Sequence, residues 1–388
     1  AGLNIISREP TNDPLRVCGY LDQLAVADGE SEMTFSNLVA CIEEFTALRK
    51  SVGKTTLLVL VTDEAGDDPY QKIGDVNAVD VVAAKLKQNS MLFFVIGYAA
   101  PFGRESDLVE GTQKNISYGP ESAFRERINL GLWDGSTNIF RYDSGFGPWN
   151  LERLCRESGG QFLPDRPAQR SMRLVSKMQS NWPAVTTEQF SSVVMSRYKP
   201  YYGPIEAYEQ DLQSNKAKLA LHAAAKLPHA RTLRVQVYEF RQTNEAAMVR
   251  SINSTQRVPA VIQPGLEKLY NLLKSGEADR EALVSKRWRA SYDLAYGRTL
   301  ANYVRVIGLN SMLAELKAGK TFSNPENNSW MLVPDDEVST GTSSKKMAQK
   351  ANVYLRRVID EHPETPWALI AKKELESPFG WKWQETKR

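Results

Sequence analysis

Cysteine and histidine are scarce in this chain, with three of each in 388 residues. Cys18, Cys41 and Cys155 are odd in number, far apart and without a C-x-x-C pair, which argues against a disulfide framework and a cysteine-built metal site. His222, His229 and His362 show neither H-E-x-x-H nor any other metal spacing. Long apolar runs are also missing. Stretches such as Leu57 to Val61 and Met91 to Ile96 fall far short of the roughly 18 to 20 residues a membrane span needs, so no span is expected in this chain. Neither sign of charge dominates: 49 Lys+Arg stand against 46 Asp+Glu, and 42% of residues are hydrophobic, which excludes disorder of the whole chain. A single core rarely grows past about 250 to 300 residues, so two or three domains are expected.

The charge that is present is unevenly placed. Residues 1–160 carry a net of −8, so the remaining 228 carry +11, and two surfaces of different character are implied. The acidic part alternates helix and strand signals. Phe35, Leu38, Val39, Ile42 and Phe45 fall on one helical face, and Thr56 to Val61 then runs apolar without alternation, as strands buried on both faces do. Ile73, Val76, Val79, Ala83 and Leu86 mark another helix, which leads into the strand Met91 to Ile96. This β-α-β unit predicts a parallel sheet covered by helices, a doubly wound α/β fold. Residues 99–148, rich in Gly and aromatics, read as an insertion. A helix from Leu151 to Ser158 stops at Gly159-Gly160 before a last strand, closing the domain near residue 165.

Residues 166–320 read as a mainly helical domain, with a helix over 205–226, a strand over 233–240 and a long helical pattern over 279–317. The polar run 321–345, with NPENNS and STGTSS, reads as a linker. In 346–388, Ala351, Tyr354, Leu355, Val358 and Ile359 line one helix face, and Thr365-Pro366 opens a second helix as N-cap and first helical residue. This hairpin resembles one tetratricopeptide-type repeat, and the tail with Phe379, Trp381 and Trp383 is expected to cover an edge.

Chemistry is most concentrated in Val59-Leu-Val-Thr-Asp63-Glu-Ala-Gly-Asp-Asp68. In open α/β sheets ligands bind beyond the carboxyl ends of the strands, where Asp63 and Glu64 are placed. Together with Asp67 and Asp68 they offer the oxygen ligands a hard divalent cation prefers; the alternative is a solvated acidic loop. Gly53-Lys54-Thr55 is no phosphate loop, because Leu48 replaces the first Gly and the triplet precedes a strand. Ser144 lacks the G-x-S-x-G elbow. Lys286-Arg287-Trp288-Arg289 reads as a helix face around one buried Trp, and no nucleic-acid partner is predicted.

The apolar strand, the Thr62-Asp63 pair, the helix, the next strand and LERLCRESGGQF at 151–162 together resemble the von Willebrand factor type A domain over residues 1–165. With VTDEAGDD, APFGRES, DSGFGPW and HPETPWALIAKKEL the whole run resembles a group of bacterial type A proteins, a resemblance that brings no catalytic activity with it. The resemblance implies a Rossmann-like sheet with a metal-ion-dependent adhesion site for Mg²⁺, or Mn²⁺ or Ca²⁺ in its place. Asp63 matches the Asp of the third loop. Thr34 matches the second Thr of the second loop, and Glu32 stands where the first Thr is usual. Glu64, Asp67 and Asp68 would form the rim. The first loop, Asp-x-Ser-x-Ser, and its strand are expected upstream of Ala1, as is any targeting signal, because AGLNIIS already reads as the end of a strand. Without that strand, Thr56 to Val61 should have an unpaired, aggregation-prone edge, and metal held by Asp63 and Glu32 alone should be weak. The function implied is non-enzymatic capture of a protein partner. The alternatives are a metal-dependent hydrolase using the same acidic crevice, and a scaffold whose basic helical part binds an acidic partner.

Overall fold

The computed structural model describes residues 5–7, 11–24, 32–52, 55–103, 120–131, 142–165, 189–242 and 244–387. The chain is mixed α/β, with a small parallel sheet and a mainly helical carboxyl-terminal region. It divides into two compact units: Ala1–Glu121 with Phe146–Val185, and Ser122–Gly145 with Thr186–Arg388. The stretch read as one insertion, 99–148, is therefore shared between the units.

In the first unit, α1 (Pro14–Leu21) is capped by Asp13, whose carboxylate accepts the Leu15 N–H at 2.9 Å, and it buries no residue. Next come α2 (Thr34–Val52), β1 (Leu57–Val61), a small hairpin of β2 (Lys72–Ile73) and β3 (Val76–Asn77), α3 (Ala78–Gln88), β4 (Leu92–Tyr98), α4 (Trp149–Ser158) and β5 (Phe162–Asp165). The sheet is parallel in the order β1-β4-β5. One face carries the core, in which Phe35, Leu38 and Ile42 of α2, Val79, Val82 and Leu86 of α3, and Leu151, Leu154 and Cys155 of α4 pack on Phe93, Val95 and Phe162. Each such side chain, fully buried, stabilises the fold by roughly 1.5–3 kcal/mol. Gly159 closes α4 in the left-handed region at φ 82°, and a Cβ on Gly160 would stand 1.9 Å from the Phe93 carbonyl oxygen. That close approach explains the Gly-Gly pair between α4 and β5.

The continuous apolar run of β1 predicts a strand buried on both faces, and the structure differs. Leu58 and Leu60 face the core, whereas Leu57, Val59 and Val61 are 57%, 53% and 72% exposed. Alternation along a strand puts these three on the opposite face, in register with Phe94 and Ile96 of β4. Among the described residues, helices pack on one face of this sheet, so the double winding read from sequence is seen only as a single helical layer. Among the described residues, β1 is at the edge of this sheet and pairs with β4 alone.

The second unit contains α5 (Ser192–Met195) running into a 3₁₀ turn, α6 (Ile205–Gln213), α7 (Lys216–Ala225), β6 (Tyr238–Arg241), α8 (Glu245–Ser275), a 3₁₀ turn at Glu277–Ala282, α9 (Lys286–Lys317), β7 (Ser329–Asp335), α10 (Thr342–Glu361), α11 (Pro366–Leu375) and β8 (Gly380–Thr386). The single helix expected over 205–226 is two, because Asn215 accepts the N–H groups of Ala217 and Lys218 at 2.8 and 3.2 Å and starts α7 afresh. The run 321–345 is not a plain linker. It holds β7, the middle strand of an antiparallel sheet in the order β6-β7-β8, and the aromatic tail forms β8 along its full length. The helical hairpin is α10 and α11, and Thr365 caps α11 by accepting the Ala368 N–H at 3.3 Å.

The axis of this unit is α9, buried along most of its length. Arg298, Asn302 and Arg305, at i, i+4 and i+7 on one stripe, converge on Glu374 of α11, which is 1% exposed. Burial alone would raise the Glu374 carboxyl, but Arg305 and Arg298 hold it below the usual carboxylate range. The arginines are completed by carbonyl oxygens of Gly131, Ser377 and Pro378 at 2.6, 2.8 and 2.9 Å. A buried ion cluster of this kind tolerates its desolvation only when every donor has such a partner.

Candidate functional site

The carboxyl ends of β1, β4 and β5 form a crest in the first unit. The Thr62 N–H extends the ladder to the Ile96 carbonyl at 3.0 Å, and the Thr62 hydroxyl then accepts the Glu64 N–H at 3.1 Å. This tight turn leaves Asp63 exposed at the end of β1. On β4 the chain passes the turn at Gly97, where a Cβ would lie 2.7 Å from the Thr62 carbonyl oxygen.

The loop before α2 is clasped to the loop after β1. Asp67 donates its N–H to the Glu32 carbonyl at 2.8 Å, and its carboxylate accepts the Glu32 N–H at 2.9 Å. Gly66, at φ 80°, reverses the chain so that a Cβ there would meet the Thr34 Cβ and Oγ1 at 2.7 and 2.8 Å. Asp68 then turns inward. It is 4% exposed, and its two oxygens accept the N–H groups of Phe35 and Ser36 at 2.9 and 2.7 Å. Asp68 thus caps α2 from a distant segment and is not part of the rim on which the sequence places it.

The remaining carboxylates share one field. Burial first, then Glu64, Asp63 and Asp67, push the Glu32 carboxyl up to about 7, and burial with Asp63 and Asp67 raises Glu64 as well. Tyr98, at the end of β4, is raised by burial and then by Asp165 and Asp63, so Asp165 at the end of β5 belongs to the same surface. Sequence reading missed Tyr98 and Asp165. The available signal was their place at the ends of parallel strands, and it needed the register to become visible.

Among the described residues, no three His, Cys, Asp or Glu side chains converge on a point that could hold a metal ion. Asp63, Glu32 and Thr34 therefore do not make a closed cation site by themselves. Glu32 and Asp63 contribute carboxylates, and Thr34 a hydroxyl, to this end of the sheet. The three histidines carry no reactive constellation: all lie in the second unit, where His222 bonds the Arg125 carbonyl at 3.0 Å, His229 the Asn129 side chain at 2.7 Å and His362 the Tyr198 hydroxyl at 3.0 Å. Lys54, from the excluded phosphate-loop reading, lies outside the described residues. Compared with protein-family models, with curated proteins and with solved structures, the chain matches none.

Proposed function

We propose that this chain is a non-enzymatic binding protein that captures a protein partner at the crest of its parallel sheet, as a type A domain would. One arrangement carries the reading. Glu32 and Asp67 from clasped loops and Asp63 and Glu64 from the end of β1 gather their carboxyls in one place, and burial first, then Glu64, Asp63 and Asp67, push the Glu32 carboxyl up to about 7. Such a surface seeks a cation or a cationic group. A divalent ion, Mg²⁺ with Mn²⁺ or Ca²⁺ as alternatives, enters this reading only with further oxygen ligands from a segment beside β1, because the described donors do not converge. With those ligands in place, Asp63, Glu32 and Thr34 would hold the ion and Glu64 and Asp67 would line the rim.

Binding is favoured over hydrolysis because the histidine rings are engaged in structural hydrogen bonds and, among the described residues, no group of three His, Cys, Asp or Glu side chains could hold a catalytic metal. The test is an Mg²⁺ and Mn²⁺ titration followed through the Glu32 carboxyl carbon resonance, together with partner capture, in the wild type and in Asp63→Ala. The reading expects the ion to lower the Glu32 midpoint in the wild type, and the substitution to abolish both the shift and the capture. If Asp63→Ala changes neither, the crest is not the recognition surface.

A further inference from the structure

A cleft of about 420 Å³ opens in the second unit between the last turns of α9, Lys320 in the loop that follows, the turn at Ser339 and Thr340 before α10, and Lys382 and Trp383 of β8. Its size is that of a small-molecule site. Its walls hold polar atoms with nothing to bond. The Thr340 hydroxyl oxygen and the Trp383 indole nitrogen are both buried, and neither has a hydrogen-bond partner among the described residues. The indole N–H of Trp330 is in the same condition, and its ring packs edge to face on Trp383 with 5.8 Å between centroids. Buried donors left unpaired are costly and rare, so two in the wall of one small cleft point to an acceptor from outside the chain. Cations stand beside them. Lys320 is hydrogen-bonded to Glu315 and lies 5.4 Å above the Trp330 ring, so its charge is already shared. Lys382 meets Asp335 only at 3.5 Å, longer than a charged hydrogen bond, and keeps its donors for a ligand.

We infer that this cleft binds a small organic carboxylate, whose oxygens take the Lys382 ammonium and the Thr340 and Trp383 donors and whose carbon chain lies against Met312 and the Trp383 ring. Charge and surface both select that class. Lys320 and Lys382 against Glu315 leave the lining with one net positive charge, the complement of a monoanion. A phosphate monoester, with close to two negative charges near neutral pH, would crowd Glu315, and an amine would find donors and positive charge where it needs acceptors. Met312, buried in the wall, and the indole face give a short hydrocarbon chain somewhere to lie. Thr340 and Trp383 each follow an exposed residue, Ser339 and Lys382, so the side chains that yield to an entering oxygen are surface ones. The site lies wholly in the second unit and does not depend on the crest of the first.

The experiment reads the orphaned indole directly. In the full chain labelled with nitrogen-15, the Trp383 indole N–H resonance is identified by its loss in Trp383→Phe. Hexanoate added near neutral pH should move this resonance downfield to a saturating limit, as an N–H does on gaining a charged acceptor, while the Trp288 and Trp367 indole signals stay in place. Hexanamide, with the same chain and no charge, and phenyl phosphate should each bind at least about tenfold more weakly. Lys382→Met and Thr340→Val should each weaken hexanoate by about tenfold, and unmoved Trp288 and Trp367 signals show that both variants are folded. The inference is overturned if hexanoate leaves the Trp383 resonance where it was, so that buried water holds the donors; if hexanamide or phenyl phosphate binds as tightly as hexanoate; or if the two substitutions leave the hexanoate affinity unchanged.

Discussion

Replacing Glu32 by glutamine should make the first unit more stable at alkaline pH and remove part of its pH dependence. The Glu32 carboxyl titrates about 7 in the folded unit against an ordinary value of 4.5, because it is partly buried beside Glu64, Asp63 and Asp67. The folded state thus binds the proton more tightly than the unfolded chain. Between pH 4.5 and 7 the native state holds more protons, so stability falls as pH rises through this window and the loss is complete above it. A shift of this size corresponds to about 3 kcal/mol at roughly 1.36 kcal/mol per pH unit. Water reaches Glu32 and screens its neighbours, which lowers the expected effect to about 1–2 kcal/mol. Glutamine keeps the shape without the charge. Glu32→Gln should therefore gain about 1–2 kcal/mol over the wild type near pH 8, and nothing near pH 4.5. The assay is a urea titration at both pH values, followed by methyl resonances of Val82 and Leu154, which lie in the core of this unit alone. A substituted protein with an unchanged alkaline slope, or one less stable than the wild type near pH 8, would refute the crowding argument.

Other substitutions test the remaining supports. Asp68→Ala leaves the Phe35 and Ser36 N–H groups at the start of α2 without an acceptor, and should cost the first unit about 1–2 kcal/mol in the same urea titration, without moving the Glu32 midpoint. Glu374→Ala strands Arg298 and Arg305 in the interior of the second unit. A loss of about 3–5 kcal/mol is expected, read as a lower urea midpoint for α9 and α11 resonances. His362, 2% exposed, is held neutral by burial with its titration lowered to about 4 from 6.5, so the second unit should lose about 3 kcal/mol as pH falls from 6.5 to 4. His362→Gln should flatten that acid limb, and an unchanged limb in its urea midpoints would place the proton elsewhere.

Much of the fold was legible because local pattern and tertiary role agree. The apolar run of β4, the helical face of α3 before it and the Gly-Gly after α4 each say one thing, and the structure has one use for each; the run of β1 marks the strand but not the exposure of Leu57, Val59 and Val61. Where reading failed, the deciding partner was remote. The polar surroundings of β7 hid a strand that exists because β6 and β8 flank it; even Pro334 is tolerated, since β6 reaches only to Leu332 and leaves that side of β7 without a ladder bond to lose. Pro259 and Pro264 mask the 31-residue helix α8 in the same way, as breakers by local rule that packing overrides. The acidic loop shows the limit most sharply. Four carboxylates between Asp63 and Asp68 look like one cluster in sequence, but Gly66 reverses the chain among them. Asp63 and Glu64 stay at the strand end, Asp67 clasps the loop that carries Glu32, and Asp68 is drawn in to cap a helix more than thirty residues earlier. Composition located the crest, but dividing its charges between recognition and architecture required the position of α2. A substitution scan that treated the four as equivalent would mix a helix cap with a binding surface, so Asp63 and Asp68 must be compared separately, by partner capture for the first and by unfolding for the second.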